Sequence, residues 1–348
     1  MSTVSATEAV RRQATFTTHH IHTLPIVVLM AHSRCNCRCV MCDIWQANAI
    51  KRELTTDDLE PHLADLRRLH VQRFVLSGGE ALMHSNLWLL CEMLRGLDSK
   101  ITLLSTGLLL ETHAQNVVRS CDEVIVSVDG SRDVHNSIRR IPSAFERMAK
   151  GIAALREQRP GFPVSGRCVL QRSNFRDLPN IIDAAHEIGL DRISFMSVDV
   201  SSTAFNRPVR WEEPRVAEVA LSASETVEFH ALVESTIRSY EQDFACGFIS
   251  ENPDKLRRLP RYFAALNGMG EFPTTVCNAP WVSTVIEANG DVRPCFFHPS
   301  LGNIHQQPLE SILNAPASVA FRKQLDVQQD TTCKACVCTL QLGRRTPA

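Results

Sequence analysis

From residue 24 to about residue 240, short apolar runs alternate with longer stretches whose apolar positions recur every three or four residues. The runs at 26–31, 73–76, 101–105, 123–128, 164–170 and 192–196 read as strands. The stretches at 55–70, 86–97, 114–119, 143–156, 178–188 and 224–240 read as amphipathic helices. Thr55, three residues before Asp58, caps the first helix, and Gly189 falls where a helix must turn into the next strand. Six strand-helix units in succession predict an α/β fold whose parallel strands curve into a partial (β/α)6 barrel.

The pattern changes on either side of that region. Residues 1–23 are polar without a sustained period and predict a loose arm, with His19, His20 and His22 in solvent. Residues 201–222 hold two prolines, Trp211 and three glutamates, and read as a long connection or lid. After about residue 246 the alternation stops, and a hairpin is predicted at 282–288 and 291–295 around the turn pair Asn289-Gly290. The expected division is an arm at 1–23, a barrel at 24–242 and a small cysteine-rich domain at 243–348.

Composition narrows the function. The chain has 348 residues, with 37 basic and 38 acidic side chains and no long block of one sign, which argues against nucleic acid as a partner. The apolar run at 24–31 is far short of the roughly 20 residues that span a bilayer, and no cationic leader precedes it. A cytoplasmic protein without a membrane partner is expected. In that compartment the 13 cysteines stand as thiols or metal thiolates.

Cys35, Cys39 and Cys42 have the spacing C-x3-C-x2-C after the first strand, with Cys37 between them. Three thiolates so close suit an iron-sulfur cube whose fourth iron is left for a ligand from solution, and zinc is the natural competitor. Gly78-Gly79-Glu80 follows the second strand, Ser105-Thr106-Gly107 the third, and Ser127 to Gly130 the fourth. All fall at the C-terminal strand edge, where parallel sheets collect ligands.

The cysteine loop, with Gly78-Gly79-Glu80 behind it, is similar to the radical S-adenosylmethionine superfamily. Ser127-Val128-Asp129-Gly130 and His135 to Arg139 resemble that family's fourth-strand segment. The resemblance implies a [4Fe-4S] cluster on Cys35, Cys39 and Cys42, with Cys37 a non-ligand. S-adenosylmethionine would be held at Gly78, Gly79 and Glu80, with Ser127 at its polar end and Arg139 at its carboxylate; the bland alternative for Arg139 is a solvated surface cation. It further implies reductive cleavage of S-adenosylmethionine to a 5′-deoxyadenosyl radical that takes hydrogen from a substrate, fed by a flavodoxin- or ferredoxin-type reductant. Where the family often has an aromatic before the third cysteine and a proline after Gly-Gly-Glu, this chain has Met41 and Ala81.

A second group follows: Cys277, Gly290 and Cys295 as C-x12-G-x4-C, then Cys333, Cys336 and Cys338. This resembles the SPASM or shorter twitch extension of that superfamily. It implies one auxiliary [4Fe-4S] cluster on Cys277, Cys295, Cys333 and Cys336, with Cys338 or His298 as substitutes. A zinc knot on the same thiolates is the competing reading. Cys91, Cys121, Cys168 and Cys246 are expected to act as small apolar residues. The alternative to a catalyst is a zinc- or iron-sulfur-binding scaffold or electron carrier. A small-molecule or peptide substrate fits the enzyme, and no residue is singled out as catalytic.

Overall fold

The structure, a computed structural model, describes residues 6–207 and 209–342; residues 1–5 of the expected arm, Pro208 of the expected lid and residues 343–348 lie outside it. Its centre is one sheet of nine strands in the order β6-β5-β4-β3-β2-β1-β7-β8-β9. The strands β1 (Ile26–His32), β2 (Arg73–Gly78), β3 (Lys100–Ser105), β4 (Glu123–Ser127), β5 (Val164–Leu170) and β6 (Arg192–Ser197) are all parallel. Helices between them cover the outer face, as expected of parallel strands joined by crossovers. Alternate residues of β1, Val27, Leu29 and Ala31, are fully buried against those helices. Ile26, Val28, Val75 and Arg167 line a common cavity on the inner face, so β1, β2 and β5 curl toward one another as a partial barrel.

Local chemistry explains the elements. Thr55 and Asp58 form a reciprocal capping box at Thr56–Leu59, and Gly189 takes φ +70 in the turn before β6. The helix expected over 55–70 is broken into Thr56–Leu59, a 3-10 turn over Glu60–His62 and Leu63–Arg68. Pro61 explains the break, because it offers no backbone N–H to the turn. Inside the lid region, Glu213–Val219 forms a helix.

Two differences from expectation matter for the site. The arm is not loose: Ala6–Thr18 is a helix, with Glu8, Arg12 and Thr15 buried. Its buried stripe is polar, with Arg12 3.3 Å from Glu8 and the Thr23 hydroxyl donating to Glu8 at 3.0 Å, so hydropathy carries no trace of it. The hairpin is present as β7 (Ser283–Ile286) and β8 (Asp291–Arg293), followed by β9 (Gly302–Asn303), but it does not form a separate sheet. β7 pairs in parallel with β1, from Ile26 with Ser283 to Leu29 with Ile286. β8 and β9 then continue antiparallel. No helix among the described residues is long and apolar enough to cross a membrane.

Phe229, 0% exposed, packs edge-on against Phe175 and Phe263 and joins the helix Ala223–Ser239 to Pro253–Leu266. Phe229→Ala should cost about 3–5 kcal/mol, measured as a lower midpoint in urea unfolding of the apoprotein.

Candidate active site at the barrel mouth

β1 ends in a register irregularity between Met30 and His32, and the loop carrying Cys35, Cys37, Cys39 and Cys42 leaves from it. That loop is braced from three sides. The Asn48 side chain clamps Cys35, accepting from its N–H at 3.0 Å and donating to its carbonyl at 2.8 Å. The Arg38 and Val40 N–H groups donate to the carbonyls of Arg139 and Ile138 at 3.2 Å each. Those carbonyls end the helix Arg132–Arg139, where no intrahelical partner remains.

The third brace is Gly78-Gly79. Gly79 N–H donates to the His32 carbonyl at 2.8 Å, and Glu80 N–H to the Arg34 carbonyl at 2.9 Å. A Cβ on Gly79 would stand 2.1 Å from the Arg34 oxygen, and one on Gly78, at φ +130, 2.3 Å from the His32 oxygen. Both positions therefore require glycine for close approach to the polypeptide of the cysteine loop itself. Glu80 is 1% exposed and accepts from the Ser105 hydroxyl (3.0 Å), the Thr106 N–H (2.7 Å), the Thr106 hydroxyl (2.6 Å) and the Leu82 N–H (3.1 Å). It is a strut between the ends of β2 and β3, and a cationic ligand would have to share it.

Arg139 is not a surface cation. It is 6% exposed, paired with the fully buried Asp129, and its Nη1 lies 3.4 Å from the sulfur of Cys39. Asp129 accepts in turn from the Val169 N–H at 3.0 Å, so β5 holds the pair in place. Ser127 closes β4 and is half-buried. The expected lid lies on the same loop: Trp211 Nε1–H donates to Asp43 at 2.6 Å, and Arg207 stacks on the Trp211 ring at 3.8 Å.

The surroundings of Cys39 and Cys42 keep those two thiols protonated until a metal draws the protons off. Its hydrogen bond to Cys37, in which the Cys39 thiol donates, and burial raise Cys39, against the pull of Arg139. Burial pushes Cys42 up to about 12. The buried Nε of Arg139 and Nδ2 of Asn36 have no partner, so two donors beside the thiols await an acceptor. Three sulfurs, a buried cation and two unfilled donors fit an anionic iron-sulfur cluster.

The second cysteine group gathers as well. Cys277, Cys295, Cys333, Cys336 and Cys338 line one cavity of about 230 Å³ on the inner face of β1, with His298. Cys277 Sγ accepts from the N–H groups of Ala279 (3.4 Å) and Leu340 (3.5 Å), and His298 Nε2 lies 3.3 Å from Cys333 Sγ. Burial pushes Cys295 up to about 11. The five thiols exceed the four corners of one cube, so the donor set fits a cluster. Cys91, Cys121 and Cys168 are buried as expected; Cys246 is exposed.

Hydropathy and spacing did not reveal Asp129, Asp43, His32 or Glu53. Glu53, whose Oε1 lies 3.1 Å from Nδ1 of the buried His32, is opposed by burial but held down to about 2 by the Ser85 N–H and its other donors.

Arg139→Gln leaves Asp129 buried without its counter-charge and should cost about 3–5 kcal/mol in urea unfolding of the apoprotein. Glu53 has a depressed folded pKa, so its contribution to stability is present above the ordinary carboxylate range and is lost as pH falls from about 4.5 toward about 2. Glu53→Gln should flatten that part of the acid-unfolding curve.

Comparison with known proteins agrees with this geometry. Residues 31–185 match the model of the Radical SAM superfamily, and residues 277–337 match SPASM, an iron-sulfur cluster-binding domain. An AdoMet-dependent heme synthase of Methanosarcina barkeri is 24% identical over 312 residues, 85% of this chain and 83% of that protein. An Fe-coproporphyrin III synthase of the same organism is 29% identical over 213 residues, 59% of this chain; the match spans about half, 52%, of that relative's length. The crystal structure of Streptococcus suis SuiB bound to S-adenosylmethionine shares the fold, with TM-score 0.62 at 14% identity over 95% of this chain and 76% of that one. The three braced thiols at the mouth and four of the five behind them, all but Cys338, thus stand in the two matched regions, and the chain belongs to the radical SAM superfamily of enzymes, with a C-terminal SPASM iron-sulfur domain.

Proposed function

We propose that the protein is a radical S-adenosylmethionine enzyme acting on a tetrapyrrole. Cys35, Cys39 and Cys42 hold the catalytic [4Fe-4S] cluster. Gly78, Gly79 and Glu80 form the wall for the amino-acid part of S-adenosylmethionine, with Ser127 and Arg139 at its polar end. Cys277, Cys295, Cys333 and Cys336 hold the auxiliary [4Fe-4S] cluster. When bound, the catalytic cluster and S-adenosylmethionine supply a 5′-deoxyadenosyl radical at the cost of one electron from a flavodoxin- or ferredoxin-type reductant. The chain's own groups do the remaining work: they brace the loop, neutralise thiolate charge through Arg139 and tie the 201–222 connection to the loop through the Trp211–Asp43 hydrogen bond.

The observation that carries this reading is the cysteine loop itself, clamped by Asn48, by the end of the helix Arg132–Arg139 and by Gly78-Gly79, with Arg139 against Cys39. The substrate class is supported by the names of the two Methanosarcina relatives, both of porphyrin chemistry. It is supported too by a cavity of about 440 Å³ beside Gly79, lined by Phe205 and Phe296 as well as Arg52 and Arg293, a size and lining suited to a small molecule. One observation favours a zinc-holding scaffold: ligand atoms of His298, Asp330 and Cys333 lie within 4.8 Å of one another.

Anaerobic reconstitution should load about eight irons per chain. Cys39→Ala should lower this to about four while the auxiliary signal persists in electron paramagnetic resonance. Gly79→Ala should do the same, because the loop cannot close on its brace. With dithionite and S-adenosylmethionine, formation of 5′-deoxyadenosine should rise when iron coproporphyrin III is added. Zinc without iron, or no 5′-deoxyadenosine under any condition, overturns the reading.

A further inference from the structure

Many cations of this chain are tied to acids, as Arg257 is to Glu234 at 2.8 Å. Around the loop of Cys336 the balance is different. Lys255, Arg258 and Arg261 come from the helix Pro253–Leu266, and Lys334 from the short helix Thr331–Lys334 that leads into Cys336. Lys255, Arg261 and Lys334 are exposed and Arg258 is half-buried. Among the described residues Arg258, Arg261 and Lys334 form no ion pair; Lys334 donates to the neutral Gln329 at 3.2 Å. Lys255 reaches Glu251 at 3.6 Å, but that carboxylate is 5% exposed and already accepts from the Phe195 N–H at 2.9 Å. Burial and the charge of Arg261 both press the pKa of Arg258 down, as neighbours of one sign do when no acid stands between them.

Lys255, Arg258 and Lys334 rim a surface depression that the half-buried Cys336 helps to line, with Leu259, Pro273 and Val337 between them. At about 60 Å³ the depression falls well below the roughly 300 Å³ at which small-molecule sites begin. An apolar centre inside a charged rim, too shallow for a metabolite, is the anatomy of a contact with another macromolecule. The whole chain carries 37 basic and 38 acidic side chains, so this concentration of one sign is local. The mouth is built differently. There Lys51 stands 3.1 Å from Glu53, and the lid crosses the cysteine loop, with Trp211 on Asp43 and Arg215 on the Val40 carbonyl.

We propose that this basic face docks an acidic one-electron carrier of the flavodoxin type and that electrons enter the protein there, at the auxiliary cluster; the proposal rests on the assignment of that cluster to Cys277, Cys295, Cys333 and Cys336 above. One electron leaves the fully reduced flavin, which is oxidised by one, and enters the cluster, which is reduced by one. No proton moves and no bond of the chain changes. Opposite charge suits such an encounter, because it speeds association and orients the partner without a large buried area. A carrier that must leave after each electron is served by a small, weak contact. Lys255, Arg258, Arg261 and Lys334 are docking residues, and their work is finished before the substrate reacts.

The test mixes the anaerobically reconstituted full chain with reduced flavodoxin in a stopped-flow cell. Flavin absorbance reports the electron lost, and freeze-quenched electron paramagnetic resonance reports the acceptor. The wild-type chain should oxidise the flavin at a rate that falls steeply with added salt. Cys39→Ala, which keeps the auxiliary cluster alone, should accept an electron at the wild-type rate. Lys255→Glu combined with Arg261→Glu should slow the reaction about tenfold and flatten its salt dependence, while dithionite still develops the full auxiliary signal. Arg258→Gln combined with Lys334→Gln, which adds no charge, should give a smaller loss in the same direction. Three results refute the docking site while the auxiliary cluster stands: a Cys39→Ala chain that dithionite reduces and flavodoxin does not, wild-type rates in both paired variants, or a tenfold loss in Arg38→Glu, on the exposed side of the mouth loop, in their place. A Cys39→Ala chain with no auxiliary signal even under dithionite refutes the cluster assignment and the docking site with it.

Discussion

A guanidinium with almost no water around it organises the mouth of this barrel. Arg139 must be compensated where it sits, and Asp129 beneath it and the sulfur of Cys39 beside it do so. The backbone of Ile138 and Arg139 then carries Val40 and Arg38 of the cysteine loop, so one helix terminus supplies both the charge and the scaffold for the thiols. The side chain of Arg139 meets the charge and its backbone meets the loop, so the two roles sit on one residue.

The second organising element is β1. Its outward residues anchor the helical layer, while its inward residues run from Ile26 and Val28 beside the auxiliary cysteines to Met30 and His32 at the mouth. Phe296 borders both cavities, so the mouth cavity and the cavity of the second cysteine group meet at its ring.

Much of this was legible in the sequence because it rests on local rules. Strands β1 to β6 follow from short apolar runs, the Thr55 cap from a two-residue signature, and the cysteine groups from spacing. What was not legible depends on partners distant in sequence. The helix Ala6–Thr18 buries Glu8 and Arg12 against each other and against Thr23, which leaves no apolar stripe to read. Arg139 has the look of an exposed cation until Asp129 and Cys39 are brought to it. Gly78-Gly79 reads as a turn or a ligand cradle, whereas its tightest contacts are with the carbonyls of His32 and Arg34. His32 and Glu53 lie 21 positions apart and follow no spacing rule; only the antiparallel bridge between them brings the pair together.

The pairing of β7 with β1 has a consequence for biogenesis. β1 is flanked by β2 on one side and by β7 on the other, and β7 begins at Ser283, about 250 positions later in the chain. At translation speeds of 5–20 residues per second, one edge of this apolar strand stays open for roughly 10–50 s while the rest is made. An unpaired hydrophobic edge is a template for association with other chains, so the nascent protein is exposed to aggregation at its central strand until its last quarter arrives.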